Sequence, residues 1–168
     1  MTEAQASVAS LAARLAASRR PGELLAETVP ARKALGLIPR RASMRRVGEG
    51  WRLGVLLVTR EGELFAARQV FRAARQVLPG HQSTSAQQRL ARRLVALDAG
   101  FPDGSTIVLY APRIPLDDAE AMRAHAGPVV VRDGRLLVRW MPGSPDDALT
   151  ALDAYLNERL DLALGRQG

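Results

Sequence analysis

Apolar residues recur with helical spacing in three segments of the chain. These segments cover residues 5–18, 85–99 and 144–164, and each combines an apolar stripe with polar or charged neighbours. The pattern therefore predicts three helices. Their stripes consist of Val8, Leu11 and Leu15; Leu90, Leu94 and Leu97; and Leu149, Leu152, Leu156, Leu160 and Leu164.

Start and stop signals support the second and third of these helices. Ser85 and Gln88 have the spacing of a capping box, and Gly100 stands where that helix should end, with Phe101 as its apolar contact. Ser144 begins the third helix as a cap that precedes Pro145 and two aspartates. Weaker signals predict a short helix from Thr28 to Leu35 and another over residues 116–126.

Two further patterns predict β-hairpins. Residues 51–59 and 64–71 are rich in Leu, Val and Phe and are separated by the polar turn 60–63. Residues 129–131 and 136–140 flank Asp133-Gly134, a dipeptide that favours a tight two-residue turn. Thr106 to Tyr110 adds a single strand.

The sum of these elements predicts an α+β fold. We expect a mainly antiparallel sheet of about five strands, built from the two hairpins plus one strand, with helices packed largely on one face. The expected organisation is a single domain over 1–168. Within it, the helix of residues 1–20 could be loosely attached, and residues 36–50, with three glycines, one proline and several arginines, form a basic irregular connection.

Composition removes several classes of function. The chain has 168 residues, 47% of them hydrophobic and 24% charged, which is ordinary for a globular protein. It has no cysteine and two histidines, so disulfides, thiolate metal sites and cysteine nucleophiles are excluded, and no metal or cofactor is expected. With no apolar run long enough to span a bilayer and no signal-peptide pattern, we expect a cytoplasmic protein without a membrane partner.

Positive charge is concentrated in the first half of the chain. Residues 1–80 carry 14 basic and 6 acidic side chains, a net charge of +8, whereas residues 81–168 carry 10 and 11, a net charge of −1. Clustered guanidinium groups can neutralise phosphates, and Trp51 could stack on a base. The alternative is a solvated basic loop. The candidate binding residues are Arg32, Arg40, Arg41, Arg45, Arg46 and Arg52.

A second candidate site lies at the entrance of the predicted central helix. His81, Ser83 and Ser85 bring an imidazole and two hydroxyls close together in sequence, and a Ser–His pair could activate a nucleophile. No third catalytic group is identifiable, and helix capping by Ser85 explains much of the segment. His125 is expected at a helix end, and the pairs Asp117-Asp118 and Asp146-Asp147 are expected at helix N-termini.

Four segments resemble a small actinobacterial family of uncharacterised proteins that automatic naming sometimes labels glutaminase. They are Ala31–Gly36, Trp51–Leu57, Val131–Gly134 and Val138–Trp140. The resemblance implies amide hydrolysis, but glutaminases use a Ser-x-x-Lys motif or a cysteine. This chain has one lysine, Lys33, and the residue three positions before it is Pro30 instead of the serine that the motif requires.

The sequence leaves three functions open. The first is a non-enzymatic binding protein that uses its arginines for an acidic protein or nucleic acid. The second is a small amide hydrolase, for which His81, Ser83 and Ser85 are the residues to test. The third is an adaptor or assembly protein, and a homo-oligomer fits any of the three.

Overall fold

The computed structural model describes residues 3–34, 38–40, 42–75, 84–109 and 113–165. Within these ranges the chain forms four α-helices, one short 3₁₀ helix at Asp146–Ala148 and eleven strands. The helices are α1 (Glu3–Ala17), α2 (Thr84–Asp98), α3 (Ala119–Ala124) and α4 (Leu152–Ala163). The strands are β1 (Glu23–Val29), β2 (Arg32–Ala34), β3 (Ile38–Arg40), β4 (Ser43–Leu53), β5 (Leu56–Thr59), β6 (Leu64–Ala66), β7 (Gln69–Arg72), β8 (Thr106–Leu109), β9 (Val129–Arg132), β10 (Arg135–Val138) and β11 (Thr150–Ala151).

The strands form three sheets, and the fold is α+β as predicted. The largest sheet has six strands in the order β6-β5-β4-β1-β8-β7 and is mixed, because β1 and β8 are parallel. The others are the antiparallel sheet β11-β10-β9 and the hairpin β2-β3. The predicted sheet of about five mainly antiparallel strands matches only roughly, because the hairpin β9–β10 belongs to a separate sheet. The placement of the helices largely on one face stays a prediction.

The chain divides into two compact units. Unit 1 comprises Met1–Gly22, Glu49–Arg68 and Ala111–Gly168, and unit 2 comprises Glu23–Gly48 and Gln69–Tyr110. Each unit has its own cluster of buried apolar residues. A domain in the thermodynamic sense is a cooperative unfolding unit, so the single-domain prediction stays a prediction.

Helix α1 is an integral part of unit 1. Its apolar stripe is buried as the sequence predicts, with Val8 and Leu15 fully inaccessible to solvent. The stripe packs in one cluster with residues of β5 and with Leu156 and Leu160 of α4. This helix therefore supplies part of the core of unit 1, and its loose attachment in the thermodynamic sense stays a prediction.

The predicted strand 51–59 is in fact a tight hairpin. Leu53 at the end of β4 pairs with Leu56 at the start of β5, and only Gly54 and Val55 lie between them. Gly54 has a φ of 65°, the backbone conformation that a glycine allows at the first position of such a turn. All four residues of β5 are buried. Because apolar residues continue on both sides of the turn, the sequence pattern resembles that of one continuous strand.

The second predicted hairpin is confirmed. Val129 pairs with Val138 and Arg132 with Arg135, which leaves Asp133 and Gly134 as the two turn residues. Both have positive φ angles, 49° and 72°, as the Asp-Gly signal requires.

Helix α4 begins later than predicted. The backbone after Ser144 forms the 3₁₀ turn Asp146–Ala148, and β11 then pairs with β10 before the helix starts at Leu152. Pairing of β11 with a neighbouring strand thus overrides the local helix-start signal. The stripe of Leu152, Leu156 and Leu160 is buried as expected.

Unit 2 differs from the prediction in its first half. The segment from Thr28 to Leu35, predicted as a short helix, contains the end of β1 and the strand β2. Much of the predicted irregular connection 36–50 is also strand, namely β3 and most of β4. Gly50 is one reason for the error: it lies in β4 opposite Thr59, where a Cβ would come within 2.7 Å of the Val58 carbonyl oxygen. Here glycine marks close approach of two backbones instead of a turn.

The central helix ends as the sequence predicts. The Phe101 N–H donates to the Ala96 carbonyl oxygen at 3.1 Å, and the Gly100 N–H donates to the Leu97 carbonyl oxygen at 2.9 Å. This pair of hydrogen bonds is a Schellman cap, and Phe101 is buried beside it. The helix starts at Thr84, however, so Ser85 lies in its first turn instead of at its cap.

Candidate basic interface and ligand groove

The arginine-rich tract occupies three strands. Arg32 lies in β2, Arg40 in β3, and Arg45, Arg46 and Arg52 in β4. Arg41 lies outside the described residues, and so do the side chains of Arg32 and Arg40. The tract is therefore an extended β structure, and most of it belongs to unit 2, whereas Arg52 belongs to unit 1.

Two of these arginines are direct cross-strand partners. In the antiparallel hairpin β2–β3, Arg32 pairs with Arg40 and Lys33 with Pro39. Like charges at opposite positions of a strand pair lower its stability. Residues 30–48 contain six cationic residues and no Asp or Glu, so this segment itself holds no anion to offset that repulsion.

The arginines of β4 are not all equally available. Arg45 forms an ion pair with Glu27 of β1 and its side chain is 69% exposed. Arg46 and Arg52 are also exposed, and both have interaction partners. Trp51 is buried, donates its indole N–H to the Arg20 carbonyl oxygen at 3.0 Å and lies under the Arg60 guanidinium. The buried Trp51 is thus part of the core, and the alternative role as a base-stacking ring is not supported.

The candidate catalytic group is only partly described. His81 and Ser83 lie outside the described residues. Ser85 is exposed in the first turn of α2 and has an interaction partner. The hypothesis of a Ser–His pair at this position therefore stays a prediction.

The pair Asp117-Asp118 lies at the N-terminus of an α-helix as the sequence predicts, whereas the pair Asp146-Asp147 does not. Asp118 caps α3, where one carboxylate oxygen accepts from the Glu120 and Ala121 N–H groups at 2.9 Å each. Asp117 binds Arg113 through two hydrogen bonds, which lower the pKa of its carboxyl group. Asp146 lies in the 3₁₀ turn and is held by two arginines instead of a helix N-terminus.

A groove of about 450 Å³ in unit 1 brings together residues that are distant in sequence. That size is within the range of small-molecule sites. Four segments form it: the β4–β5 turn, the end of β6, the chain after α3 and the chain after β10. Its lining consists of Val55, Ala66, Ala67, Arg68, His125, Ala126, Gly127, Pro128, Arg139, Trp140 and Pro142.

The groove combines apolar walls with an exposed aromatic ring. Trp140 is 46% exposed, and the following residue, Met141, is 50% exposed. Large apolar side chains of this kind are usually buried, so two adjacent exposed ones mark a surface that can bind an apolar partner.

The charge of the groove is positive. No acidic residue lines it, and Arg68 is exposed and has no ion pair or hydrogen-bond partner within the described part of the chain. Arg139 donates to Asp146 at 2.8 Å, and Arg132 donates to the same carboxylate at 3.3 Å. One aspartate thus pairs with two arginines, so these three side chains together carry a net positive charge. The hydrogen bonds from Arg132 and Arg139 also lower the pKa of Asp146.

His125 contributes a neutral ring to the groove. It is the C-cap residue of α3, as the sequence predicts, and its backbone N–H donates to the Met122 carbonyl oxygen. Burial lowers the pKa of its imidazole, because the charged form would lose water. Its Nε2 is buried without a hydrogen-bond partner in the described ranges, close to Gly127.

Sequence reasoning identified His125 but missed the groove. Arg68, Arg139 and Trp140 were not candidate residues, because no spacing in the sequence connects residue 68 with residues 125–142. The one available signal was the tryptophan at the end of the predicted strand 136–140.

The described ranges contain no cluster of three or more His, Asp or Glu side chains that could hold a metal ion. Among the helices that the structure describes, none combines the length and the apolar character needed to cross a membrane. Comparison of the chain with protein-family models, curated proteins and solved structures finds no match. The resemblance to the actinobacterial family stays a prediction.

Proposed function

We propose that the protein is a binding protein whose basic strands β2, β3 and β4 bind the phosphate backbone of nucleic acid. The observation that carries the proposal is the register of β2–β3, which pairs Arg32 with Arg40. A phosphate bound at this hairpin would offset the like charges at these paired positions and would accept charge-assisted hydrogen bonds. The interaction would be independent of base sequence, because phosphate contacts carry no sequence information.

The surrounding segment favours an anionic partner. Six cationic residues and no acidic ones occupy residues 30–48, and the ion pair of Arg45 uses Glu27, which lies outside that segment. Two-stranded β-ribbons are an established way of presenting such residues to nucleic acid. Cytoplasmic location and the absence of a membrane partner belong to the same proposal.

Binding of a fluorescein-labelled duplex oligonucleotide, followed by fluorescence anisotropy, tests the proposal. We expect Arg32→Gln and Arg40→Gln each to weaken binding severalfold, and the double variant to weaken it further. The matched control is Arg123→Gln. Arg123 is an exposed arginine of α3 without a partner among the described residues, and its loss changes the net charge by the same amount.

Equal losses in all three single variants would contradict the proposal, since they would reflect net charge alone. Polyglutamate, in the same assay as a competitor, separates the two classes of acidic partner. Displacement of the labelled duplex by polyglutamate at a lower concentration of negative charge than unlabelled duplex requires would favour an acidic protein and contradict the nucleic-acid assignment. Circular dichroism of each variant verifies that the fold is retained.

A further inference from the structure

The groove of unit 1 has no part in the proposed function and carries an inference of its own. We infer that it is a binding site for a small aromatic carboxylate, whose ring packs on Trp140 and whose carboxylate pairs with Arg68. Three observations support this assignment: the size of the groove, the exposed ring in it and the sign of its charge.

The size of the groove indicates a small molecule. A volume of about 450 Å³ accommodates a ligand of one or two fused rings. Alanine, valine and proline side chains form much of the walls and offer apolar contact area to a ring.

The exposed ring of Trp140 indicates an aromatic ligand. Its exposed fraction is 46%, whereas Trp51, the other tryptophan of the chain, is 4% exposed. Stacking of a flat ring on an indole stabilises a complex beyond the burial of apolar area. A flat ligand would also cover the neutral imidazole of His125 without requiring a charge opposite it.

The cations indicate a carboxylate on that ring. Arg68 has no partner in the described part of the chain, so its guanidinium is free to bind an anion. Arg139 is fixed by its 2.8 Å hydrogen bond to Asp146, and the two arginines on that one aspartate keep the local charge positive. A planar carboxylate matches the planar guanidinium, which can donate two parallel hydrogen bonds to it.

The test uses 2-naphthoate as the probe. Two matched compounds accompany it: 2-naphthamide, which keeps the rings and lacks the charge, and cyclohexanecarboxylate, which keeps the charge and lacks the aromatic ring. Binding is measured by calorimetry and by the ¹H–¹⁵N signals of the two indole N–H groups. The Trp140 signal is identified by its loss in Trp140→Phe.

The expected result is that 2-naphthoate binds more tightly than either matched compound and shifts the Trp140 signal, while the Trp51 signal stays in place. Arg68→Gln should lower the affinity for 2-naphthoate about fivefold, the upper range for an exposed ion pair, and should leave the affinity for 2-naphthamide unchanged. Trp140→Ala should lower the affinity for both aromatic compounds. Arg89→Gln is the control for net charge, because Arg89 is an exposed arginine of α2 that lies 21 or more positions along the chain from every groove residue.

Three outcomes would overturn the inference. The first is equal binding of 2-naphthoate and 2-naphthamide, which would remove the role of the cations. The second is a shift of the Trp51 signal alone, and the third is no binding of 2-naphthoate at millimolar concentration. None of these results bears on the basic strands, whose test uses different residues and a different probe.

Discussion

The turn between β4 and β5 provides the sharpest test of the structure, through the substitution Gly54→Ala. Gly54 has a φ of 65°, and a Cβ on it would lie 2.1 Å from the hydroxyl oxygen of Tyr155. Tyr155 is buried, and that oxygen accepts a hydrogen bond from the Val55 N–H at 3.0 Å. The new methyl group must therefore displace either the turn or the tyrosine.

Three contributions determine the magnitude. The left-handed backbone conformation costs roughly 1–2 kcal/mol for a residue with a Cβ. Overpacking against Tyr155 adds about 1–3 kcal/mol. If the tyrosine moves, the Val55 N–H loses its acceptor, which costs about 1–3 kcal/mol if no water replaces it. We expect Gly54→Ala to lower the free energy of unfolding by about 2–5 kcal/mol.

Gly134→Ala is the matched control for backbone strain. Gly134 has a φ of 72°, and nothing lies within 4 Å of a Cβ built on it. It should therefore lose only the conformational contribution, roughly 1–2 kcal/mol.

A double-mutant cycle isolates the contact. Tyr155→Phe removes the hydroxyl and should cost about 1–3 kcal/mol through the Val55 N–H. In the double variant with Gly54→Ala the closest clash is gone, so the combined loss should be smaller than the sum of the single losses by at least about 1 kcal/mol. Urea unfolding followed by circular dichroism supplies all the values. Losses that add within about 0.5 kcal/mol would refute the contact.

Three other predictions test the core, the pH response and cooperativity. Leu15→Ala removes a fully buried side chain of α1 and should lower the free energy of unfolding by about 2–5 kcal/mol in urea titrations, whereas a loss below about 1 kcal/mol would indicate a loosely attached helix. The pKa of His125 is lower in the folded chain than the usual 6.5, so the unfolded chain binds more protons between those two values. The stability from this residue should be complete above pH 6.5 and should fall as the pH drops below it. His125→Gln should therefore lose less stability than the unsubstituted chain between about pH 7.5 and pH 5.5, and equal losses would contradict this cause. The single-domain prediction expects one calorimetric transition with equal calorimetric and van't Hoff enthalpies, while two transitions would assign separate unfolding to the two units.

Local signals predicted the parts of the fold that depend on a few neighbouring residues. The Asp133-Gly134 turn and the cap formed by Gly100 and Phe101 are examples, because each is determined by backbone angles or hydrogen bonds within about six residues. The buried stripes of α1 and α4 were also predictable, since their spacing follows the helical period.

Features that depend on distant pairing were not predictable in the same way. The parallel pair β1–β8 joins Leu25 to Val108, and no local pattern connects those residues. The hairpin at Gly54 was hidden because all four residues of β5 are buried and follow the buried Trp51 and Leu53 of β4 with only two residues between the strands. The late start of α4 has a tertiary cause, the pairing of Thr150 with Val138.

The two candidate sites differ in the same way, because one consists of residues close together in sequence and the other of residues from distant segments. The basic tract was visible in the sequence because its arginines are close together along the chain, although the pairing of Arg32 with Arg40 required the strand register. The groove was invisible because Arg68 and Trp140 come from segments more than seventy positions apart. Sites of this second kind are found only when the fold brings their segments together.

The salt dependence of duplex binding tests the central claim most directly. For a protein that neutralises phosphates, the logarithm of the association constant falls linearly with the logarithm of the salt concentration, by about 0.9 for each phosphate contacted. The basic strands should give a steep slope for the unsubstituted chain, and Arg32→Gln/Arg40→Gln should reduce it by about 2. A slope that is the same in this double variant and in the unsubstituted chain would show that these two arginines do not contact phosphate.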